Sequence, residues 1–291
     1  MSDVYTTLGF LRDLPKYHTE QPYEAFGHPE LPPEALTNCE LEYIEGIRVV
    51  DAREEDHSPC LDINGFCFIE APSKFTPRPG QIEESNIEDP IITRYLDDTR
   101  NIVQEYLRAN RVICFDWRYR KNILQTATGY EERNSSRTFA LPPGINVHCD
   151  YSYNGGHDRL EMHLLPEELE NIRSGHSKAV LMNAWRPLLV VQNAPLMICD
   201  RQTVRKTDLV EVDKILSDKV EKGFHIHHRD WHRWYYLSEQ TPDELALFKS
   251  WVPETPGEIA DYPPHGAGRL EHEILDSLRE SIEVRMIVIW K

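Results

Sequence analysis

Asn146-Val147-His148-Cys149-Asp150-Tyr151-Ser152 sets an imidazole and a carboxylate two residues apart. In an extended chain, side chains at i and i+2 point to the same side. His148 and Asp150 can therefore reach one point in space. Nitrogen and hard oxygen at one point are the start of a site for Fe(II) or another divalent metal. A distant histidine joining them would complete a 2-His-1-carboxylate facial triad, with the other face of the octahedron open. His-X-Asp alone is a weak signal, and its plain reading is a polar strand end.

The surrounding chain is that of an ordinary folded protein. Its 291 residues suffice for one large domain or two small ones, and 40% hydrophobic with 28% charged residues is a globular composition. The formal net charge of -17 repels phosphate backbones and anionic lipid, and no basic patch offsets it, so neither nucleic acid nor a membrane surface is an expected partner. The N-terminus lacks a signal-peptide pattern, and no run approaches the roughly 20 apolar residues of a membrane span. Six cysteines without a C-x-x-C pair argue against a zinc ribbon or a disulfide framework and suit a reduced, cytoplasmic setting.

Hydrophobic patterning predicts strands over Glu42–Asp51, Phe66–Ile69, Arg111–Trp117, Ala179–Trp185, Leu188–Gln192, Trp231–Leu237 and Ser281–Trp290. Asn64-Gly65 marks a tight turn. Helices are expected from Asp89-Pro90, over Pro166–Arg173, and after Thr241-Pro242-Asp243-Glu244, which has the form of a capping box leading into Leu245, Leu247 and Phe248. Residues 1–40 read as an arm with little regular structure, residues 120–140 as an irregular flap, and Gly155-Gly156 as a break. With strands dominating and no repeat or linker, the expected fold is mainly β. It would be a single domain over 1–291, a jelly roll with flanking helices: the arm, then N-terminal strands and a helix over 41–140, then a core over 141–291.

The third ligand is sought among 13 histidines. His225, His227, His228 and His232 form one group, and the His-X-His-His run within it reads as a solvated loop. His265 stands in Pro-His-Gly, about one hairpin before Arg279-Glu280-Ser281. There a guanidinium and a hydroxyl share one face of a strand start, suited to a carboxylate. His265 is favoured over His232. Arg285 has the same parity as Arg279 and could take the carboxylate role, or pair with Glu283.

These blocks in order, with Asp51-Ala52-Arg53, Asn183-Ala184-Trp185-Arg186-Pro187, Ala194-Pro195-Leu196 and Glu280-Ser281-Ile282-Glu283-Val284-Arg285, resemble the CmcJ/NvfI-type oxidoreductases, also called gibberellin-desaturase-like. The resemblance covers roughly residues 45–291. It implies a double-stranded β-helix (cupin-like) fold and Fe(II)/2-oxoglutarate chemistry of secondary metabolism, with His148, Asp150 and His265 as metal ligands. Arg279 and Ser281, or Arg285, would hold the far carboxylate of 2-oxoglutarate. Tyr151, Arg186 and Trp234 are candidates to face the substrate, although Trp234-Tyr235-Tyr236 also suits a sheet core and Arg186 an ion pair. Lys249-Ser250-Trp251 and Gly266-Ala267-Gly268 depart from the pattern and bear on the substrate more than on the metal.

The expected activity is oxidation of an unactivated C–H bond of a small biosynthetic intermediate, such as an amino or organic acid, with O2 consumed and succinate and CO2 released. Hydroxylation, desaturation and cyclisation all fit, and a homodimer is compatible. Two other readings stand beside it: a non-catalytic accessory subunit of a partner enzyme, and an iron oxidase independent of 2-oxoglutarate.

Overall fold

The final strand shows how the sequence builds the fold. In the computed structural model, which describes residues 4–28, 30–84, 90–122, 140–270 and 277–291, it runs as β15 (Glu280–Trp290). Ile282, Val284, Met286 and Val288 are fully buried on one face. Ser281 and Glu283 occupy the other face and are buried as well, with Arg285 half-buried beside them, since that face looks toward the opposing sheet.

β15 belongs to a five-stranded sheet with β4 (Phe66–Glu70), β5 (Arg111–Lys121), β7 (Lys178–Pro187) and β12 (Glu244–Trp251), in the order β4-β12-β7-β15-β5. Its outer face is covered by α2 (Pro90–Tyr106), which turns Ile92, Tyr95, Thr99 and Val103 inward at helical spacing onto Val284, Met286, Leu245 and Leu247. A short α1 (Gln81–Glu84) precedes it.

The opposing sheet has ten strands: β1 (Val4–Leu11), β2 (Tyr23–Ala25), β3 (Leu41–Asp51), β6 (His148–Cys149), β8 (Leu196–Cys199), β9 (Leu209–Ile215), β10 (Val220–Ile226), β11 (Trp234–Tyr236), β13 (His265–Ala267) and β14 (Arg269–Leu270). Their order is β14-β1-β3-β11-β8-β13-β6-β10-β9-β2, parallel at β11·β3 and β9·β2 and antiparallel elsewhere. The sheets meet through Phe66, Trp185 and Phe248 on one side and Ile198 and Tyr235 on the other, the face-to-face packing of a jelly roll. Further helices α3 (Tyr153–His163) and α4 (Pro166–Arg173) follow the β6 segment.

Several local expectations are corrected. The first 40 residues carry β1, which pairs with β3 and β14 and buries Leu8, Phe10 and Leu11 completely. The Thr241 motif does form, with the Glu244 carboxylate accepting the Thr241 N–H at 2.8 Å and its hydroxyl at 3.1 Å. The chain then enters β12 instead of a helix, because Leu245 and Leu247 pack under α2 while Ala246 and Phe248 face the interior. Apolar residues on both faces of a central strand mimic a helical pattern.

Gly155-Gly156 lies within α3, whose Ser152 N-cap accepts from the Gly155 N–H. The two glycines allow close approach, since a Cβ would collide with the Lys222 backbone at 155 and the Trp251 indole at 156. Leu188–Gln192 is not a strand. Most of the proposed flap, residues 123–139, and the residues 85–89 before α2 lie outside the described residues.

Candidate metal centre

β6 is two residues long and lies between β13 and β10, with His148 directly opposite His265 on one side and His225 on the other. Side chains paired across a ladder share a face, so the His148 and His265 rings meet with centroids 4.6 Å apart. Beyond Cys149 the chain bends, which brings the Asp150 carboxylate between them. His148 Nε2 is 3.9 Å from Asp150 Oδ1, and His265 Nε2 is 3.8 Å from Asp150 Oδ2. Among the described residues this is the group of three whose ligand atoms all lie within 4.8 Å of one another.

The donors are prepared for a cation. His148 Nδ1 sits 2.8 Å from the Asn146 carbonyl, which fixes the proton on Nδ1 and leaves the Nε2 lone pair facing inward. Burial holds both imidazoles below their ordinary pKa, His148 further depressed by the neighbouring His265, so both are neutral ligands at neutral pH. Burial alone would raise the Asp150 carboxyl, but the Arg285 guanidinium and the surrounding positive groups outweigh it and keep Asp150 ionised. Each Asp150 oxygen has its own donor: Arg285 Nη2 to Oδ1 at 2.7 Å and Asn183 Nδ2 to Oδ2 at 2.7 Å. Two neutral imidazoles and one oriented carboxylate fit a divalent iron. The His148 side chain is 18% exposed, against 2% for Asp150 and 4% for His265, so the centre opens past His148.

The other predicted residues separate into distinct roles. Arg285 is committed to carboxylates, since it also donates from Nε to Glu283 Oε1 at 3.0 Å and lies 3.8 Å from Asp116. Arg279 differs: it is buried against the Trp185 ring, 5.1 Å from the ring centroid, and its Nε and Nη1 find no acceptor among the described residues. Burial, with Arg120 adding to it, pulls its pKa down to about 9. The Ser281 hydroxyl also lacks a partner among the described residues.

Arg186 points away from the centre. It lies on the α2 side of β7 and donates to the carbonyls of Pro242 and Ala71 and to the Tyr95 hydroxyl, so it fastens loops to the helix. Trp234 packs on the far face of the large sheet with Leu8, Phe10 and Val49, while Tyr235, one residue on, shares the interior with Phe248 and Trp185. Tyr151 is buried beside the centre, its hydroxyl without a partner among the described residues and the Arg159 guanidinium 5.4 Å from its ring centroid. The His225 run is no solvated loop: His225 and His227 are buried, and His225 Nε2 lies 3.3 Å from Glu24.

The Arg285–Glu283 pairing offered by the sequence is present, but sequence reasoning assigned no role to Asn183, Lys214 or Phe248, whose ring lies 4.5 Å from that of His265. Asn183 had a usable signal, a lone amide between the apolar residues Ala179-Val180-Leu181-Met182 and Ala184-Trp185.

The model of the family described as the oxidoreductase/YMDC permease-like domain matches residues 8–289 of this chain. The chain belongs to that oxidoreductase family. The alpha-ketoglutarate-dependent dioxygenase tstK of Talaromyces stipitatus is 25% identical over 267 residues, 89% of this chain and 92% of that protein. The hydroxylase/desaturase efuI of Hormonema carpetanum is 26% identical over 259 residues, 84% and 83% of the two chains. Among solved structures, the iron and alpha-ketoglutarate-dependent endoperoxidase NvfI superposes with a TM-score of 0.79 at 23% identity, covering 98% of this chain and 97% of that one, and shares the fold. No helix among the described residues of this family member is long and apolar enough to cross a membrane.

Proposed function

We propose that His148, Asp150 and His265 hold Fe(II), and that Arg279 with Ser281 receives the far carboxylate of 2-oxoglutarate. The enzyme is an Fe(II)/2-oxoglutarate-dependent dioxygenase acting on a small molecule and O2. The observation that carries the metal assignment is the doubly hydrogen-bonded Asp150 carboxylate set between two inward-facing imidazole nitrogens. Iron bound there would supply oxidation of an unactivated C–H bond by O2, coupled to the oxidative decarboxylation of 2-oxoglutarate to succinate and CO2.

The chain's own part is orientation and exclusion of water. Asn183 and Arg285 fix the plane of the Asp150 carboxylate, and the Asn146 carbonyl fixes the His148 ring. A buried guanidinium without an anion is costly, and a carboxylate bound bidentately at Arg279 would relieve that cost while the Ser281 hydroxyl donates to it. Between this anchor and the triad, the Arg285–Glu283 pair leaves Arg285 unavailable as the primary carboxylate site. Phe248, Tyr235 and Trp185 supply an apolar wall that suits the body of a biosynthetic intermediate. A relative named hydroxylase/desaturase supports hydroxylation or desaturation as the outcome.

The decisive test is iron-dependent conversion of 2-oxoglutarate to succinate by the wild-type enzyme and by His148→Ala. Loss of both iron binding and succinate formation in the variant is expected. Unchanged turnover would remove His148 from the centre and with it the assignment.

A further inference from the structure

Lys214 lies on β9, on the ten-stranded sheet, and reaches toward the metal centre. Its Nζ donates to the Asp150 backbone carbonyl at 3.3 Å. An ammonium carries three N–H donors, and among the described residues no carboxylate lies within the 4.0 Å of an ion pair from this one, although Arg285 and Arg159 nearby are both paired. The space it uses adjoins a glycine. A Cβ at Gly223, on the neighbouring strand β10, would stand 2.9 Å from Lys214 Nζ and 2.9 Å from the Asp150 carbonyl. Gly223 does not have a positive φ, so room for the ammonium and for the Asp150 and Cys149 carbonyls it meets, not backbone conformation, is what the missing side chain provides.

Two cationic heads thus have donors to spare, Arg279 just before β15 of the smaller sheet and Lys214 on β9 of the larger. 2-Oxoglutarate brings two carboxylates, one for the metal and one for a cationic anchor. With Arg279 as that anchor, Lys214 is left over, and water-poor surroundings make an unpaired charge expensive. We infer that Lys214 binds an anionic group of the organic substrate, so that the substrate is an acid whose carboxylate docks beside Asp150 and whose apolar body lies toward Phe248, Tyr235 and Trp185. This inference rests on the 2-oxoglutarate reading of Arg279.

The test is calorimetric binding to the anaerobic enzyme loaded with Fe(II) and 2-oxoglutarate. The probes are a chain-length series of phenylalkanoic acids, from phenylacetic upward, and their primary amides. Wild type is expected to favour an acid over its amide by about 10- to 100-fold, the worth of a hydrogen-bonded charge. Lys214→Met should erase that preference and Lys214→Arg should retain it. A lysine that only braces the Asp150 backbone would leave the acid-to-amide ratio unmoved, so the ratio separates binding from support.

2-Oxoglutarate affinity is measured alongside in Lys214→Met and Arg279→Met. Weakening by Arg279→Met alone upholds the anchor reading. With that result, the lack of any acid preference across the series, through equal binding or through none, overturns the role of Lys214 only. If Lys214→Met is the variant that loses 2-oxoglutarate, both assignments fall and Lys214 is the co-substrate anchor.

Discussion

Replacing Arg285 with methionine is expected to destabilise the metal-free protein severely and to make its stability depend on the metal. The guanidinium lies 2.7 Å from Asp150, 3.0 Å from Glu283 and 3.8 Å from Asp116, and the Asp150 and Glu283 side chains are 2% and 8% exposed. Methionine keeps much of the volume, so the change is mainly the loss of the positive charge that these three carboxylates share. Removing one partner of a buried pair costs about 3–5 kcal/mol, a large part of the roughly 5–15 kcal/mol that holds a domain folded. A divalent ion at the triad restores positive charge beside Asp150, and saturation at about 100 times Kd returns about 2.7 kcal/mol. Urea titrations of wild type and Arg285→Met, each with chelator and with anaerobic Fe(II), measure these quantities. The expected pattern is a wide gap between the metal-free proteins that narrows when iron is added. A metal-free variant within about 1 kcal/mol of wild type, below the 3–5 kcal/mol expected for a broken buried pair, would refute the claim that Arg285 neutralises this cluster.

Two further substitutions probe positions where the sequence misled. Arg186→Met removes donors to Pro242, Ala71 and Tyr95, so it should cost about 2–4 kcal/mol in chemical denaturation while leaving 2-oxoglutarate affinity unchanged, as isothermal titration would show; a specific loss of co-substrate binding would put Arg186 in the pocket after all. Gly156→Ala drives a Cβ into the Trp251 indole, whose Nε1 is tied to the Tyr153 carbonyl at 2.9 Å. Overpacking there should cost about 1–3 kcal/mol and lower the melting temperature, and an unchanged melting curve would show that α3 can shift without penalty.

The sequence by itself pointed to the side chains that meet at the centre. His148 and Asp150 are two residues apart in one short extended segment, where local spacing dictates which side chains share a face, and Pro264-His265-Gly266 ahead of the Arg279-X-Ser281 strand start favoured His265 over His232 as the third member of the cluster. It also determined the strands whose apolar alternation is strong, above all β15. Tertiary structure decided the rest, where the deciding neighbour is distant in sequence. Whether Arg186, Arg279 or Arg285 is available to an anion depends on which carbonyls and carboxylates other strands bring to it. Whether Trp234 or Tyr235 faces the centre depends on the ladder that sets Tyr235 opposite Ile198, itself opposite His265. The Thr241 motif satisfied its hydrogen bonds locally and still led into a strand, since burial between β4 and β7 outweighed the helical start. Hydrogen bonds within one turn are local properties of a chain. The partner of a buried charge is a property of the fold.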